Sequence, residues 1–344
     1  MMRALVTGAA GFVGSHLCEE LLAAGHQVTG LDDLSTGDTG NLREADAHRG
    51  FRLVRGSILD AGLVDELTAG ADAVFHLAAA VGSFIIRDRG LESLRTNIHG
   101  TENIVEAAWR EGASLLLAST SEIYGRNGKA GLAEDDDRVL GSPLKSRWCY
   151  SEAKAIDESL VDAYVRERGL RAVIVRLFNT VGPRQSGHYG MVIPRFARQA
   201  LTGEPLTVFG TGEQVRCFCH VRDVVPALAA LVQCDEAQGR AVNLGSSEQV
   251  SVGELARRVI AAAGSDSAIV HLSYLEAMGS GYEDMMRRVP DCTLARDLVG
   301  FRPTRTLDEI IRAVIDDQAR RLRGHDGRYG DPDRDRLRGA AAVR

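Results

Sequence analysis

Tyr150 and Lys154 stand four residues apart in Tyr150-Ser151-Glu152-Ala153-Lys154, a spacing that on a helix puts a phenol and an ammonium on one face. An ammonium near a phenol favours the phenolate and lowers its pKa from a free value of about 10, which makes Tyr150 a usable base near neutral pH. Upstream lies Ser119-Thr120-Ser121-Glu122-Ile123-Tyr124-Gly125, closing an apolar run of strand length at residues 114–119. Open parallel sheets place ligands at that end of a strand. A hydroxyl here can share a substrate proton with Tyr150, and Glu122 adds a carboxylate. Such groups move a proton on and off a hydroxyl or carbonyl, and the matching hydride needs a carrier.

The N-terminal segment Thr7-Gly8-Ala9-Ala10-Gly11-Phe12-Val13-Gly14 offers a place for one. Residues 3–6 read as a buried strand, and 11–24 show helical periodicity through Val13, Leu17, Leu21 and Leu22. Gly8 permits the tight turn, Gly11 lets backbone approach a pyrophosphate, and Gly14 lets helix and strand pack closely, with the anion on the helix N-terminus. A second strand, 27–31, runs into Asp32-Asp33, where an acid meets the adenosine ribose. An acid there repels a 2′-phosphate, so NAD is expected rather than NADP.

Strands and helices then alternate. Residues 51–55, 73–77, 114–119 and 171–177 are strand-length apolar runs, and 63–69, 91–110 and 150–168 read as helices. The pattern predicts an α/β fold with a Rossmann-type doubly wound parallel sheet, residues 1–178, which includes the Tyr150/Lys154 helix. Past Asn179 the rhythm changes. Gly182-Pro183 and Gly187-His188-Tyr189-Gly190 interrupt it, and short strands at 206–209, 217–220 and 241–244 mix with helices at 191–201, 222–234 and 252–263. Residues 179–323 are therefore expected to be mainly a smaller C-terminal α/β substrate-binding lobe. The tail, 324–344, is rich in Gly, Asp and Arg without apolar periodicity, and is expected to be disordered.

Composition narrows the class. The 344 residues are 44% hydrophobic and 26% charged, an ordinary globular balance, with a formal charge of −6. That leaves no basic field for nucleic acid. No apolar run approaches the roughly 20 residues of a membrane span, and the N-terminus enters a strand without a signal peptide, so a cytoplasmic location is expected. Six scattered cysteines in mostly apolar contexts read as reduced core thiols, and the nine histidines show no metal-ligand spacing, so no metal is expected.

Taken in order, several segments resemble the extended short-chain dehydrogenase/reductase family, the nucleotide-sugar epimerases, dehydratases and decarboxylases. They are the glycine loop with its Gly-x-x-Gly-x-x-Gly spacing, Asp32, Val74-Phe75-His76-Leu77-Ala78-Ala79, Thr96-Asn97, the Ser-Thr-Ser-Glu segment, Tyr150 with Lys154, and Arg176-Leu177-Phe178-Asn179-Thr180-Val181-Gly182-Pro183. The resemblance runs over about residues 3–322. It implies a tightly held NAD that is recycled within each turnover. The implied contacts begin with Gly8, Gly11, Phe12, Val13, Gly14, Asp32, Asp33, Ser35 and Thr36. They continue with Ser57, Ile58, Leu77, Ala78, Ala79 and Asn97, then Ser119, Tyr150, Lys154 and Val181. Ser57 stands where the family usually has an aspartate for the adenine amino group. The resemblance also implies a UDP-sugar substrate held by Asn179, Val192, Arg216 and Arg288, and a homodimer formed through helices 91–110 and 150–168. Arginine forks suit diphosphate oxygens.

Thr120-Ser121-Glu122 separates the candidate reactions, with Thr120, Ser121, Glu122, Tyr150 and Lys154 as the catalytic set. In the family, 4-epimerases usually carry a small residue at Glu122, and 4,6-dehydratases usually carry Asp-Glu. Thr-Ser-Glu is similar to UDP-glucuronate decarboxylases and also to GDP-mannose dehydratases; Val215-Arg216-Cys217-Phe218 and Arg287-Arg288-Val289-Pro290-Asp291 favour the former. The segment 187–196 lacks the Asp-Gly-Arg and Ser-Asn usual in decarboxylases and is closer to epimerase-type relatives. The expected activity is decarboxylation of UDP-glucuronate to UDP-xylose or UDP-4-keto-xylose. A UDP-hexose or UDP-hexuronate 4-epimerase is the alternative and a 4,6-dehydratase the third. A non-enzymatic NAD-binding scaffold would predict loss of Tyr150 or Lys154, and both are present.

Overall fold

The computed structural model describes residues 1–82, 88–187, 190–279 and 283–324. The tail beyond 324 and the His188-Tyr189 pair, both singled out in the sequence, lie outside the described residues. Strand β1 (Arg3–Thr7) is buried from Ala4 onward and hands the chain to helix α1 (Phe12–Ala23), which buries Leu17, Leu21 and Leu22. The chain continues through β2 (Gln27–Asp32), α2 (Arg43–Asp46), β3 (Phe51–Arg55), α3 (Ala61–Thr68) and β4 (Ala73–His76). It then runs through α4 (Gly90–Glu111), β5 (Ser114–Thr120), α5 (Cys149–Arg168) and β6 (Ala172–Leu177). Asp60 caps α3 by accepting from Leu63 N, and α4 and α5 end on Gly112 and Gly169. All pairings in the main sheet are parallel, because helices cross over between strands and cover both faces.

One strand of that sheet comes from an unexpected place. The main sheet has seven strands in the order β11-β6-β5-β4-β1-β2-β3, and β11 is Ala241–Leu244, which the sequence reading put in the C-terminal lobe. It pairs with β6 in register Val242 to Val175. The chain returns there because the preceding helix, α7 (Val221–Leu231), buries Val221, Val224, Leu228 and Leu231 in the same core as Leu17 and Leu21 of α1. The sheet order reverses between β1 and β4, so their C-terminal ends form the crevice that takes a dinucleotide.

The remaining elements form a separate core. Helices α6 (Val192–Thr202), α8 (Val252–Ala263) and α11 (Leu307–Gly324) surround Phe196, Phe218, Leu255 and Ile311. Residues 217–220, expected as one strand, divide at Phe218. Strand β9 (Val215–Cys217) pairs with β12 (Gln249–Ser251) and β14 (Arg287–Arg288), whereas β10 (Cys219–His220) pairs with β7 (Thr180–Val181). Strands β8 (Leu206–Phe209) and β13 (Ile269–Leu272) form a parallel pair. Helices α9 (Tyr274–Met278) and α10 (Thr293–Val299) complete the described elements. Among the described residues no helix is long and apolar enough to cross a membrane.

Candidate active site

The glycine loop is a cradle shaped by missing side chains. Gly8 sits at φ +70°, where a side chain is strained, and a Cβ on it would lie 2.8 Å from Ala78 N. A Cβ on Gly14 would lie 2.0 Å from Gly8 O, so helix and loop touch through backbone. No side chain caps the start of α1 and its first turn carries no acid, which leaves that end suited to a pyrophosphate. These features fit NAD.

Asp32, expected at the adenosine ribose, sits at the end of β2 against the glycine loop. Its Oδ2 accepts from Ala10 N at 2.9 Å and its Oδ1 from Leu34 N at 2.8 Å; burial raises its pKa against those two bonds. Gly37, which the sequence reading passed over, makes room: a Cβ there would lie 2.7 Å from Asp32 Oδ1. Asp33, Ser35 and Thr36 are exposed beside it, with Asp33 accepting from Ser35 N and Oγ. Ser57 Oγ accepts from Leu59 N at 3.2 Å, and Ile58 is buried.

Asn97, expected at the cofactor, is also a loop anchor. Its Oδ1 accepts from Ala80 N at 2.8 Å and its Nδ2 donates to Ala80 O at 3.2 Å, so it fixes the loop after β4 that carries Leu77, Ala78 and Ala79. The same loop is held from below, where Thr7 Oγ1 accepts from Ala78 N and lies 2.8 Å from His76 Nδ1. Ser119 is likewise committed: its hydroxyl donates to Glu158, which is also gripped by Arg176.

Tyr150 and Lys154 are both buried on α5, but the expected lowering of the tyrosine is absent. Burial, followed by the negative charges of Glu122 and Asp157, holds Tyr150 above its ordinary value. Lys154 Nζ lies 3.1 Å from Asp157 Oδ2, an acid the sequence reading did not weigh. The ammonium is one turn away as predicted, yet its charge is shared with a second buried carboxylate.

At the end of β5, Thr120 Oγ1 accepts from Glu122 N and so starts the 3₁₀ turn Ser121–Tyr124. Ser121 is buried in that turn. Glu122 Oε2 accepts from Arg147 Nη1 at 2.6 Å and Oε1 from Arg288 Nη1 at 3.3 Å. Burial alone would raise its pKa, but the two guanidiniums outweigh it and hold the carboxyl down at about 2. Glu122 is therefore an ionised acceptor. Arg147, in the turn just before α5, was missed because its side chain meets Glu122 only through the fold.

Arg288 also donates to Asn179 Oδ1, and its Nε is buried without a hydrogen-bond partner among the described residues. Asn179 adopts φ +30° and donates to Cys217 O at 2.8 Å. Arg216 stands beside Arg288 across the β9–β14 ladder, and donates to Met285 O at 2.7 Å and Asp284 Oδ1 at 2.8 Å. Asp284 in turn accepts from Tyr274 OH. Glu122, Arg147, Asn179, Val192, Arg216 and Arg288 line a cavity of about 190 Å³ together with Gln185, Gln214, Phe209 and Phe218. Val181, expected beside the cofactor, lines this same cavity.

Comparison with known proteins shows the family. The model of the NAD dependent epimerase/dehydratase family matches residues 4–245. The chain is 38% identical to UDP-N-acetyl-alpha-D-glucosaminuronate decarboxylase of Bacillus cytotoxicus, covering 91% of this chain and 96% of that one. It is 36% identical to UDP-glucuronic acid decarboxylase 1 of Xenopus tropicalis, covering 91% and 71%. The solved UDP-glucuronic acid 4-epimerase of Bacillus cereus, in complex with UDP-glucuronic acid and NAD, matches the fold with a TM-score of 0.84 at 28% identity, covering 93% and 99%. A match that spans the whole parallel sheet, with relatives covering nearly all of the chain, means that this protein belongs to the NAD dependent epimerase/dehydratase family and is similar to its nucleotide-sugar decarboxylases and epimerases.

Proposed function

We propose that this chain is an NAD-dependent decarboxylase of a UDP-hexuronate, with UDP-glucuronate as substrate. The observation that carries the reading is Glu122, held ionised between Arg147 and Arg288 on the cavity wall, with its charge reaching Tyr150. Removing and returning one hydride at carbon 4 needs no such fixed carboxylate. Breaking the bond at carbon 5 and replacing carbon dioxide by a proton does need an oriented acceptor. The decarboxylases among the similar proteins support the same reading.

NAD held on the glycine cradle of Gly8, Gly11 and Gly14 would supply the acceptor for the carbon 4 hydride and its donor at the end of turnover. Tyr150, assisted by Thr120, is the group to take the hydroxyl proton, once the positive charges of Lys154 and of the cofactor's nicotinamide, when bound, bring the buried phenol down from its raised value. The ketone so formed lies beta to the carboxylate on carbon 5, so the carbon–carbon bond breaks, carbon dioxide leaves, and its electrons pass into an enolate. Hydroxyl donors from Tyr150 and Thr120 stabilise that oxygen where charge develops. Glu122 and Ser121 orient the water that protonates carbon 5. Arg288 offers its unpartnered Nε, and Arg216 its fork, to the anionic groups of the nucleotide sugar. Helices α4 and α5 expose Leu91 and Ile156, and we place a homodimer contact on that pair.

The purified protein should release carbon dioxide from UDP-glucuronate with no NAD added. Tyr150→Phe should lose at least about 100-fold in turnover while retaining its NAD. An unchanged product mass with inverted carbon 4 would sink decarboxylation and establish the second reading, a UDP-hexuronate 4-epimerase, which the fold match to the Bacillus cereus enzyme favours.

A further inference from the structure

The reaction above makes no use of Asp157, although this acid is as deeply buried as the lysine it faces. Asp157 follows Lys154 by three residues on α5, and both are about 1% exposed. Its Oδ2 lies 3.1 Å from Lys154 Nζ, the Thr101 hydroxyl is its other partner, and the whole pair is shut away from water. A buried carboxylate in that state costs stability that an apolar residue of similar volume would not. Such a group in a native interior points to a role beyond packing.

Its surroundings restrict what that role is. The Thr101 hydroxyl of α4 lies beside Asp157, and His76 of β4 bridges Thr101 at 3.0 Å and Thr7 at 2.8 Å. Burial, then the Lys154 charge, keeps His76 neutral. A buried polar chain therefore runs from the strand that carries the glycine loop to the catalytic helix, with Lys154 as its cation. Tyr150 experiences Glu122 from the strand-end turn, where Arg147 and Arg288 are engaged with Glu122, and Asp157 on its own helix, with Lys154 one turn along that helix. Asp157 faces Lys154 and Glu158 on α5, with Thr101 and His76 on the elements packed against it.

We propose that Asp157 is a positioning residue for Lys154: its carboxylate anchors the ammonium one turn below Tyr150 and fixes how much of that positive charge the phenol experiences. The proposal rests on oxidation at carbon 4 by Tyr150 and Lys154, and not on what the keto sugar does next. Taking the negative charge away leaves Lys154 free to act on Tyr150 and removes an acid that favours the protonated phenol. Both changes make the phenol titrate at lower pH.

The test is an ultraviolet difference titration of the NAD-loaded protein, in which the phenolate signal lost in Tyr150→Phe reports Tyr150. Asp157→Asn should move that titration, and the acid limb of kcat/KM against pH, down by about one unit or more. Asp157→Glu, which restores the charge, should return both toward the unmodified protein. Asp157→Ser is a second charge-removing variant should Asp157→Asn not fold. A folded, charge-removed variant with an unmoved titration would make Asp157 merely structural and overturn the proposal. A shifted titration in a protein that turns over no UDP-hexuronate would sink the proposed function and leave this role standing.

Discussion

The cofactor cradle and the substrate cavity are built by opposite means. The cradle is backbone: Gly8, Gly11 and Gly14 let a helix start, a tight turn and the β4 loop meet without side chains between them. The cavity is side-chain charge, with Glu122, Arg147 and Arg288 in one cluster and Arg216 with Asp284 in the next. A backbone cradle has one shape and one ligand, which suits a cofactor that stays. Paired charges can exchange partners, and the proposed substrate site uses this: Arg216 would leave Asp284 for a diphosphate while Glu122 stays held by Arg147 and Arg288. The price of that adaptability is that removing one member strips its neighbours of a buried counter-charge.

The largest effect should come from breaking the charge cluster. Glu122→Gln keeps the shape but strips Arg147 and Arg288 of their counter-charge, and turnover is expected to fall roughly 100-fold with bound NAD unchanged. Because the folded carboxyl is held below its ordinary value, its stabilisation is full above the normal carboxylate range and is lost as pH falls toward about 2. Acid unfolding should show a stability gap between native protein and variant that is constant above about pH 5 and closes below it. A gap that widens on acidification would contradict the clamp.

Gly14→Ala strikes the cradle instead. Its Cβ would lie 2.0 Å from Gly8 O, so loop and helix must part, at about 1–3 kcal/mol of stability, with co-purifying NAD lost. Thermal unfolding and the nucleotide content of the purified protein read the two effects. Retained NAD would show that the cradle tolerates displacement. The smallest effect is expected at Ser57→Asp, which supplies a charged acceptor at the adenine end. NAD affinity should rise by about 1 kcal/mol, the difference between a charged and a neutral hydrogen bond, if that acceptor meets the adenine amino group, and calorimetry on stripped protein would measure it. No gain would place the adenine away from Ser57.

The same contrast decides what could be read from the sequence. The cradle was legible because its parts are neighbours in the chain: strand, glycine spacing, helix period and Asp32 follow one another. Tyr150 and Lys154 were legible for the same reason, being one helical turn apart. The clamp was not, since Arg147 meets Glu122 from a different turn and Arg288 arrives on a two-residue strand with no periodicity. Strand β11 was misplaced because a short apolar run carries no mark of the sheet it joins; the apolar face of α7, packed on α1, returns it. The lowered Tyr150 expected from Lys154 does not appear because burial of the phenol raises it first, and the charges of Glu122 and Asp157 add to that, none of which the four-residue spacing to Lys154 records.

The central claim is that oxidation at carbon 4 serves the loss of carbon dioxide from carbon 5. Turnover of UDP-glucuronate in deuterated water, followed by mass spectrometry of the nucleotide sugar, tests it most directly. The account predicts a product lighter by carbon dioxide and carrying one carbon-bound deuterium at carbon 5, placed there when the enolate is protonated from solvent. A product of unchanged mass with no carbon-bound deuterium, or one lighter by water, would contradict it.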